Sequence, residues 1–73
     1  MKKKMIIKIN GMSCMHCANT VTTALENIDN IIKVKVDLKK KEAVITYQSD
    51  IDTNVIKDTI NNLDYEFVEA LPC

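Results

Sequence analysis

Residues 5–28 read MIIKINGMSCMHCANTVTTALENI and contain a strand pattern, a loop with two cysteines and a helix pattern. Apolar residues alternate along the first part and recur at i, i+4 and i+7 along the last: Met5, Ile7 and Ile9, then Val21, Leu25 and Ile28. The alternation predicts a β-strand over 5–10 that Gly11 ends. The recurrence predicts a helix over 18–28 that has one apolar face.

Two more strands are predicted in the middle of the chain. Strict alternation over 32–39 predicts the second strand, and a similar pattern over 42–48 predicts the third. Their inward-facing residues are Ile32, Val34, Val36 and Leu38, then Ala43, Ile45 and Tyr47. The polar run Lys39–Lys41 between them predicts a hairpin turn, although it lacks the Gly or Asn typical of such turns.

A second helix and a last strand complete the pattern. Asp52 or Thr53 can cap this helix, because both side chains accept hydrogen bonds from free backbone N–H groups. Its apolar face consists of Ile56, Ile60 and Leu63. Residues 65–71 predict the last strand, and Pro72 is expected to end it.

The order of elements predicts the fold. The order is strand, helix, strand, strand, helix, strand, which makes two βαβ halves. Each helix is apolar on one face only, so both helices must cover the same apolar face of one sheet. We therefore expect an α+β fold, a ferredoxin-like βαββαβ sandwich with a four-stranded antiparallel sheet and two helices on one face. The expected strand order is 4-1-3-2. The whole chain, 1–73, is expected to be a single domain.

Composition limits the function classes. Ten lysines balance ten acidic residues, and this net charge of zero gives no support to a nucleic-acid partner. The apolar run after Lys4 is too short for an export signal or a membrane span, so we expect a cytoplasmic chain without membrane insertion. A chain of 73 residues has no room for a large substrate cavity beside its core, which favours a binding protein over an enzyme.

The charges are distributed unevenly along the chain. Nine of the ten lysines lie in residues 1–41, and seven of the ten acidic residues lie from Glu42 onward. Folding can gather them into one basic and one acidic face that help to select a partner, or leave two ordinary solvated surfaces.

Cys14 and Cys17 are the candidate metal ligands. They lie where the loop enters the first helix, and a helix N-terminus favours thiolate over thiol. A thiolate pair suits Cu(I), which is soft and accepts two or three ligands, whereas a closed zinc site requires four. A thioredoxin-like redox pair is the main rival interpretation, but that fold needs a longer chain with more sheet.

Three other residues surround this pair. His16, the single histidine, is expected to tune the proton affinity of the thiolates rather than to bind the metal directly. Met12 is expected to fill the core and fix the loop, since methionine adapts to irregular gaps. Met15 is expected to be exposed.

The run Gly11–Cys17, the element order and the pair Asp64-Tyr65 closely resemble heavy-metal-associated (HMA) domains, in particular CopZ-like bacterial copper chaperones. The resemblance covers the whole chain. It implies that Cys14 and Cys17 bind Cu(I), that Met12 anchors the loop and that Tyr65 lies close to the metal.

The same resemblance implies partners. It predicts copper transfer to P-type copper ATPase metal-binding domains of the same fold, with a copper-responsive regulator and a copper-bridged homodimer as further expectations. The alternatives are a detached metal-binding domain of such an ATPase, a mercury or other soft-metal carrier, and a small thiol oxidoreductase. Met1 and the lack of a linker after Leu71 favour a free-standing protein over the detached domain.

Cys73 departs from the family pattern. If the last strand begins beside the metal loop at Tyr65, seven residues at ~3.3 Å each place Cys73 roughly 20 Å away. We therefore expect an exposed thiol that is not a ligand.

Overall fold

A computed structural model describes residues 2–72. Its elements are β1 (Lys2–Asn10), α1 (Met15–Glu26), β2 (Ile31–Asp37), β3 (Glu42–Gln48), α2 (Thr53–Asn62) and β4 (Glu66–Pro72). The sheet order is β2-β3-β1-β4, and all neighbouring strands are antiparallel. The predicted ferredoxin-like fold and its strand order are therefore confirmed. Within the described part of the chain, neither helix is long and apolar enough to cross a membrane.

The core lies between one face of the sheet and both helices. Its fully buried members include Ile7 and Ile9 from β1, Ala43 and Ile45 from β3, Val21 and Leu25 from α1, and Ile56 and Ile60 from α2. Burying one Val, Leu or Ile side chain contributes ~1.5–3 kcal/mol, so the seven of these together dominate the stability of a domain this small. The predicted apolar faces are confirmed at Val21, Leu25, Ile56 and Ile60, which are buried. Ile28 and Leu63 are only partly buried against the core, and Ala18 is a buried residue that the periodicity did not select.

The first helix begins earlier than predicted. It starts at Met15 rather than residue 18, because the Ala18 N–H already donates to the Cys14 carbonyl at 3.1 Å. Cys17 consequently lies inside the first turn of α1. The helix also ends at Glu26, but Ile28 still packs against the core from the following turn.

A β-bulge corrects the prediction for the second strand. Ile31 pairs with Tyr47, and the next paired residue is Lys33, so one residue of β2 is skipped. Ile31 therefore takes the inward position, and Ile32, which alternation placed in the core, is 42% exposed. An extra residue reverses the side-chain alternation from that point, and alternation alone cannot reveal it.

Pro72 lies within the last strand rather than beyond its end, where it was predicted. It is part of β4 and pairs with Met5. Proline is tolerated there because β4 is an edge strand, and an edge strand can dispense with one ladder N–H group.

The lysine-rich hairpin turn takes its shape from Asp37. One carboxylate oxygen, Oδ1, accepts hydrogen bonds from the backbone N–H groups of Lys39 at 3.0 Å and Lys40 at 3.1 Å. Lys41 then adopts a left-handed conformation with φ of 56°. Its carbonyl accepts from the Ile9 N–H at 2.9 Å, which attaches the turn to the end of β1.

Replacement of Lys41 by glycine is expected to stabilise the fold by about 0.5–1 kcal/mol. A left-handed conformation costs an L-residue roughly 1–2 kcal/mol, and glycine avoids that cost. Glycine also makes the unfolded chain more flexible, so part of the stabilisation is lost. Urea unfolding measures the difference. Lys40→Gly in the same turn is the control, because Lys40 lacks a positive φ and glycine can only destabilise it. Equal destabilisation by both changes would contradict this account of the turn.

Candidate metal site

Glycine is required where the chain leaves β1. Gly11 has φ of +102°, and a methyl group on its Cα would lie 3.3 Å from Cδ1 and 3.6 Å from Cα of Tyr65. The positive φ strains any other residue here, and a Cβ would in addition crowd the Tyr65 ring. Gly11 therefore brings the loop directly against Tyr65, which precedes β4.

Met12 turns inward from this loop. It is 8% exposed and belongs to the buried core cluster. Its expected position as a core residue beneath the loop is confirmed. Met15 points the other way and is 66% exposed, as predicted.

The two cysteine sulfurs come together at the start of α1. Cys14 is the residue that precedes the helix, with extended backbone angles, and Cys17 is in the first turn. Their Sγ atoms are 3.6 Å apart. Cys14 is exposed and Cys17 is half-buried, so one sulfur faces solvent while the other is sheltered. No side chain caps this helix end, which leaves its backbone donors available to the sulfurs.

The surroundings of Cys17 favour its thiolate form. Its pKa is lowered to about 6, first by a hydrogen bond from the backbone of Ser13, then by the Tyr65 hydroxyl and the Cys14 side chain. The pKa of Tyr65 is raised, chiefly by its hydrogen bond to Cys17, because ionisation would remove the donated proton. Tyr65 thus lies beside the cysteines, as the family resemblance implied.

His16 lies in the first turn of α1 and is exposed. Its carbonyl accepts a hydrogen bond from Thr20 Oγ1 at 3.0 Å, and it borders a surface depression with Asn19 and Thr23. The effect of its ring on the thiolates stays a prediction.

No further ligands gather at the cysteines within residues 2–72, where no group of three or more His, Cys, Asp or Glu side chains could hold a metal ion. Cys73 lies outside the described residues. In β4, Glu66 pairs with Asn10 and Pro72 pairs with Met5, so the strand leads away from the cysteine loop.

Two contributors to the site were missed in the sequence. Ser13 acts through its backbone, so its side chain carries no signal, and only its place just before a helix start could have indicated it. The second contributor is Asn61 at the end of α2. Its Oδ1 accepts from the Phe67 N–H at 3.3 Å, while Asn10 Nδ2 donates to Glu66 Oε1 at 3.0 Å. These two bonds hold the start of β4, next to Tyr65.

Replacement of Tyr65 by phenylalanine is expected to raise the Cys17 pKa from about 6 toward the ordinary thiol value of about 8.5, because one donor to the thiolate is lost. The Ser13 backbone bond remains, so the rise should be incomplete. The ¹³Cβ shift of Cys17 in reduced, metal-free protein, followed against pH, measures it. Tyr47→Phe on β3 is the control and should leave the titration unchanged. If the Cys17 titration is unchanged in Tyr65→Phe, the tyrosine hydroxyl does not stabilise the thiolate.

Known proteins are similar to this chain in both sequence and fold. The heavy-metal-associated domain model matches residues 6–66. The copper chaperone CopZ of Enterococcus hirae is 37% identical over 64 residues, which are 86% of this chain and 93% of that protein. Copper-transporting ATPase 2 of Homo sapiens is 31% identical over 61 residues, 82% of this chain but 4% of the ATPase. A solved CopZ metallochaperone superposes with a TM-score of 0.83 at 33% identity, covering 89% of this chain and 98% of the other. The chain therefore belongs to the heavy-metal-associated domain family.

Proposed function

We propose that this chain is a single-domain cytoplasmic copper chaperone that carries one Cu(I) ion between the thiolates of Cys14 and Cys17. The observation that carries the proposal is the pair of sulfurs 3.6 Å apart at an exposed helix N-terminus, with the pKa of Cys17 lowered to about 6. Similarity to CopZ over most of both chains supports copper as the cargo.

The donor set favours Cu(I) over Zn²⁺. Thiolates are soft ligands, and Cu(I) accepts as few as two of them. Zn²⁺ in a closed site needs four ligands, and residues 2–72 contain no third or fourth side chain grouped with the cysteines. Cys14 and Cys17 must be reduced to bind the ion, which fits a reducing compartment such as the cytoplasm.

Each neighbouring residue has a separate part in this proposal. Met12 holds the loop from below without contacting the ion. Tyr65 donates a hydrogen bond to Cys17 and keeps it deprotonated. His16, exposed beside the pair, adds a positive charge when protonated and so favours both thiolates.

Delivery is a ligand exchange and needs no catalysis. An incoming thiolate of the acceptor forms a third sulfur–copper bond, and a bond to one of the chain's own cysteines then breaks. Copper remains Cu(I) throughout, and the leaving thiolate keeps its electron pair. The exposure of Cys14 makes it the first sulfur that an acceptor can reach. A metal-binding domain of a P-type copper ATPase is the proposed acceptor, supported by similarity to part of a copper-transporting ATPase.

Cys14→Ser and Cys17→Ser are each expected to weaken Cu(I) binding by several orders of magnitude, because a hydroxyl is a hard and poor ligand for this ion. Anaerobic competition with bathocuproine disulfonate measures the affinity, and native mass spectrometry measures the stoichiometry. Cys73→Ser is the matched control and should bind one Cu(I) per chain with parental affinity. Parental copper retention by Cys14→Ser would overturn the assignment, and loss of affinity in Cys73→Ser would show that the third cysteine takes part.

Copper transfer to an isolated ATPase metal-binding domain is expected to be bimolecular, with an observed rate that rises in proportion to the acceptor concentration. Stopped-flow measurement with a chelator trap for released copper gives this dependence. A rate independent of the acceptor would show that copper is first released to solution. Insulin reduction in the presence of dithiothreitol tests the rival function, because a thiol oxidoreductase would accelerate it and a chaperone would not.

A further inference from the structure

The sheet has a second face, on the side away from the helices. Ile7 and Ile9 point into the core, so Ile6 and Lys8, which alternate with them, point to the opposite side. Residues paired across strands share a face, and the strand registers therefore define what lies on it. Both helices of residues 2–72 pack on the core side. We call the other side the open face.

Four exposed lysines occupy the half of the open face that lies away from the cysteine loop. Lys4 pairs with Thr46, which pairs in turn with Lys33 on β2. The alternation along β1 and β2 adds Lys2 and Lys35 to the same face. With strands about 4.8 Å apart and residues ~3.3 Å apart, the four lie within about 10 Å across the sheet and about 13 Å along it. We call Lys2, Lys4, Lys33 and Lys35 the lysine patch.

The acidic residues beyond the strand ends near this patch lie on the other side of the sheet. Asp29, Asp50 and Asp52 line a depression together with Val55 of α2, which places them on the helix side. The Asp50 carboxylate is 3.6 Å from Lys3 Nζ, and Lys3 alternates to the same side. Among the described strand positions, the half of the open face that carries the lysine patch has no acidic residue.

The acidic residues of the open face lie at its other end, beside the cysteine loop. Asp37 pairs with Glu42, and Glu69 pairs with Lys8. Lys8 Nζ donates to Glu42 Oε1 at 2.7 Å, so these two charges cancel. Lys4 is four residues from Lys8, or ~13 Å along β1, whereas the Debye length at physiological salt is about 8 Å. The acidic end therefore has little influence on a partner that contacts the centre of the lysine patch.

An apolar row borders the lysine patch. Ile6 pairs with Val44 on β3 and with Leu71 on β4, and Val44 pairs with Lys35 at the end of the same row. Ile6 and Val44 are half-buried, and Leu71 is 37% exposed. The open face thus joins a cluster of positive charge to accessible aliphatic surface, and neither helix of residues 2–72 covers them.

We propose that the lysine patch binds the surface of an anionic lipid membrane, with the apolar row resting at the level of the headgroups. Lysine ammonium groups are attracted to anionic headgroups, and an adjoining apolar surface is removed from water at the headgroup boundary. The chain then lies on the membrane without crossing it. The cysteine loop is at the opposite end of β1, so bound protein keeps both cysteines on the solvent side.

Two features favour a lipid surface over a nucleic acid. All ten basic residues of the chain are lysine, a flexible point charge, whereas the planar arginine fork suits specific recognition of phosphates and base edges. The lysine patch and the apolar row contain no aromatic side chain on which a base could stack. A nucleic acid would gain nothing from Ile6, Val44 and Leu71, but these side chains add to binding at a membrane.

The binding is weak, reversible and dependent on salt. One lysine near an anionic leaflet raises the bound fraction roughly fivefold, so the four together raise it about 10³-fold. Stable anchoring requires a second signal, such as a lipid chain, in addition to basic residues. Binding of this strength is enough to concentrate the chain beside a copper-transporting ATPase in the membrane, the acceptor proposed above. The binding itself does not depend on the copper cargo.

Co-sedimentation of the reduced, metal-free protein with sucrose-loaded vesicles tests the proposal. Vesicles of phosphatidylcholine with about 30% phosphatidylglycerol should bind the parent with an association constant on the order of 10³ M⁻¹ at about 50 mM salt. At about 300 mM salt the binding should be at least about tenfold weaker. Vesicles of phosphatidylcholine alone should not bind it. Equal binding to both kinds of vesicle, or none to the anionic vesicles at about 5 mM lipid in low salt, would overturn the proposal.

Matched pairs of substitutions locate the binding surface. Lys4→Gln with Lys33→Gln removes two charges from the lysine patch and should weaken vesicle binding by about 30-fold. Lys39→Gln with Lys40→Gln, in the hairpin turn at the cysteine end, removes the same total charge and should weaken it less than about threefold. All four side chains are exposed, and far-ultraviolet circular dichroism checks each fold. Equal weakening by the two pairs would show that only total charge matters and would contradict the patch.

A second pair and a second ligand complete the test. Lys2→Gln with Lys35→Gln should weaken binding as much as the first pair, and this variant replaces the first one if that fold is disturbed. Duplex DNA of about 20 base pairs, at the same phosphate concentration as the vesicles, should bind the parent at least about tenfold more weakly. Binding to DNA that equals or exceeds binding to vesicles would overturn the choice of a membrane as the partner.

Discussion

The contact between Gly11 and Tyr65 is the constraint on which the cysteine site depends. With φ of +102° and no side chain, Gly11 lets the chain leave β1 directly against the ring of Tyr65. Beyond that contact Met12 lies in the core, the next two residues lie at the surface, and Cys14 is the residue immediately before α1. The same contact positions Tyr65 so that its hydroxyl donates a hydrogen bond to Cys17. A side chain at Gly11 would disturb all three arrangements together.

The sheet separates three tasks between its faces and its end. One face carries the aliphatic residues that the helices bury, and β1 supplies the centre of that core with Ile7 and Ile9. The end of β1 carries the cysteine loop, which therefore extends from one of the two central strands, each paired on both sides. The face of the sheet away from the helices contributes little to the core. A site on a rigid element keeps its geometry better than one on a free loop.

Much of this architecture was predictable from periodicity alone. The patterns of β3, α1 and α2 predicted most of the residues that these elements bury, because two regular spacings distinguish strand from helix. Ala18 was missed, since alanine lay outside the i, i+4, i+7 series. Ile32 was placed on the wrong side, since a bulge changes the alternation without changing residue types. The hairpin at Lys39–Lys41 lacked its usual glycine because Asp37 provides the two hydrogen bonds of the turn through its side chain. A turn stabilised in this way depends on where the Asp37 carboxylate lies in the folded chain, which the pattern of residue types does not show.

The site was only partly visible in the sequence. The cysteine spacing indicated the candidate ligand pair, and Tyr65 entered through the family resemblance alone, since 47 residues lie between Cys17 and Tyr65 in the chain. The largest influence on the Cys17 pKa, the backbone of Ser13, has no residue-type signature at all. Distances between elements and backbone donors are properties of the folded chain, so sequence reasoning reaches them only through topology.

In the proposed carrier, the lowered pKa of Cys17 serves both the binding and the release of the ion. With a value of about 6, this sulfur is mostly thiolate at neutral pH, so an arriving soft ion need not displace a proton. The hydrogen bonds that stabilise the thiolate also withdraw electron density from it, and a less basic thiolate leaves a bond more readily. The folded chain gains this stabilisation fully above the ordinary thiol pKa and loses it as the pH falls through about 6, where the thiolate takes up a proton. Easy loading and easy release at neutral pH thus follow from the same hydrogen bonds, and both require the fold that brings Ser13 and Tyr65 to one sulfur.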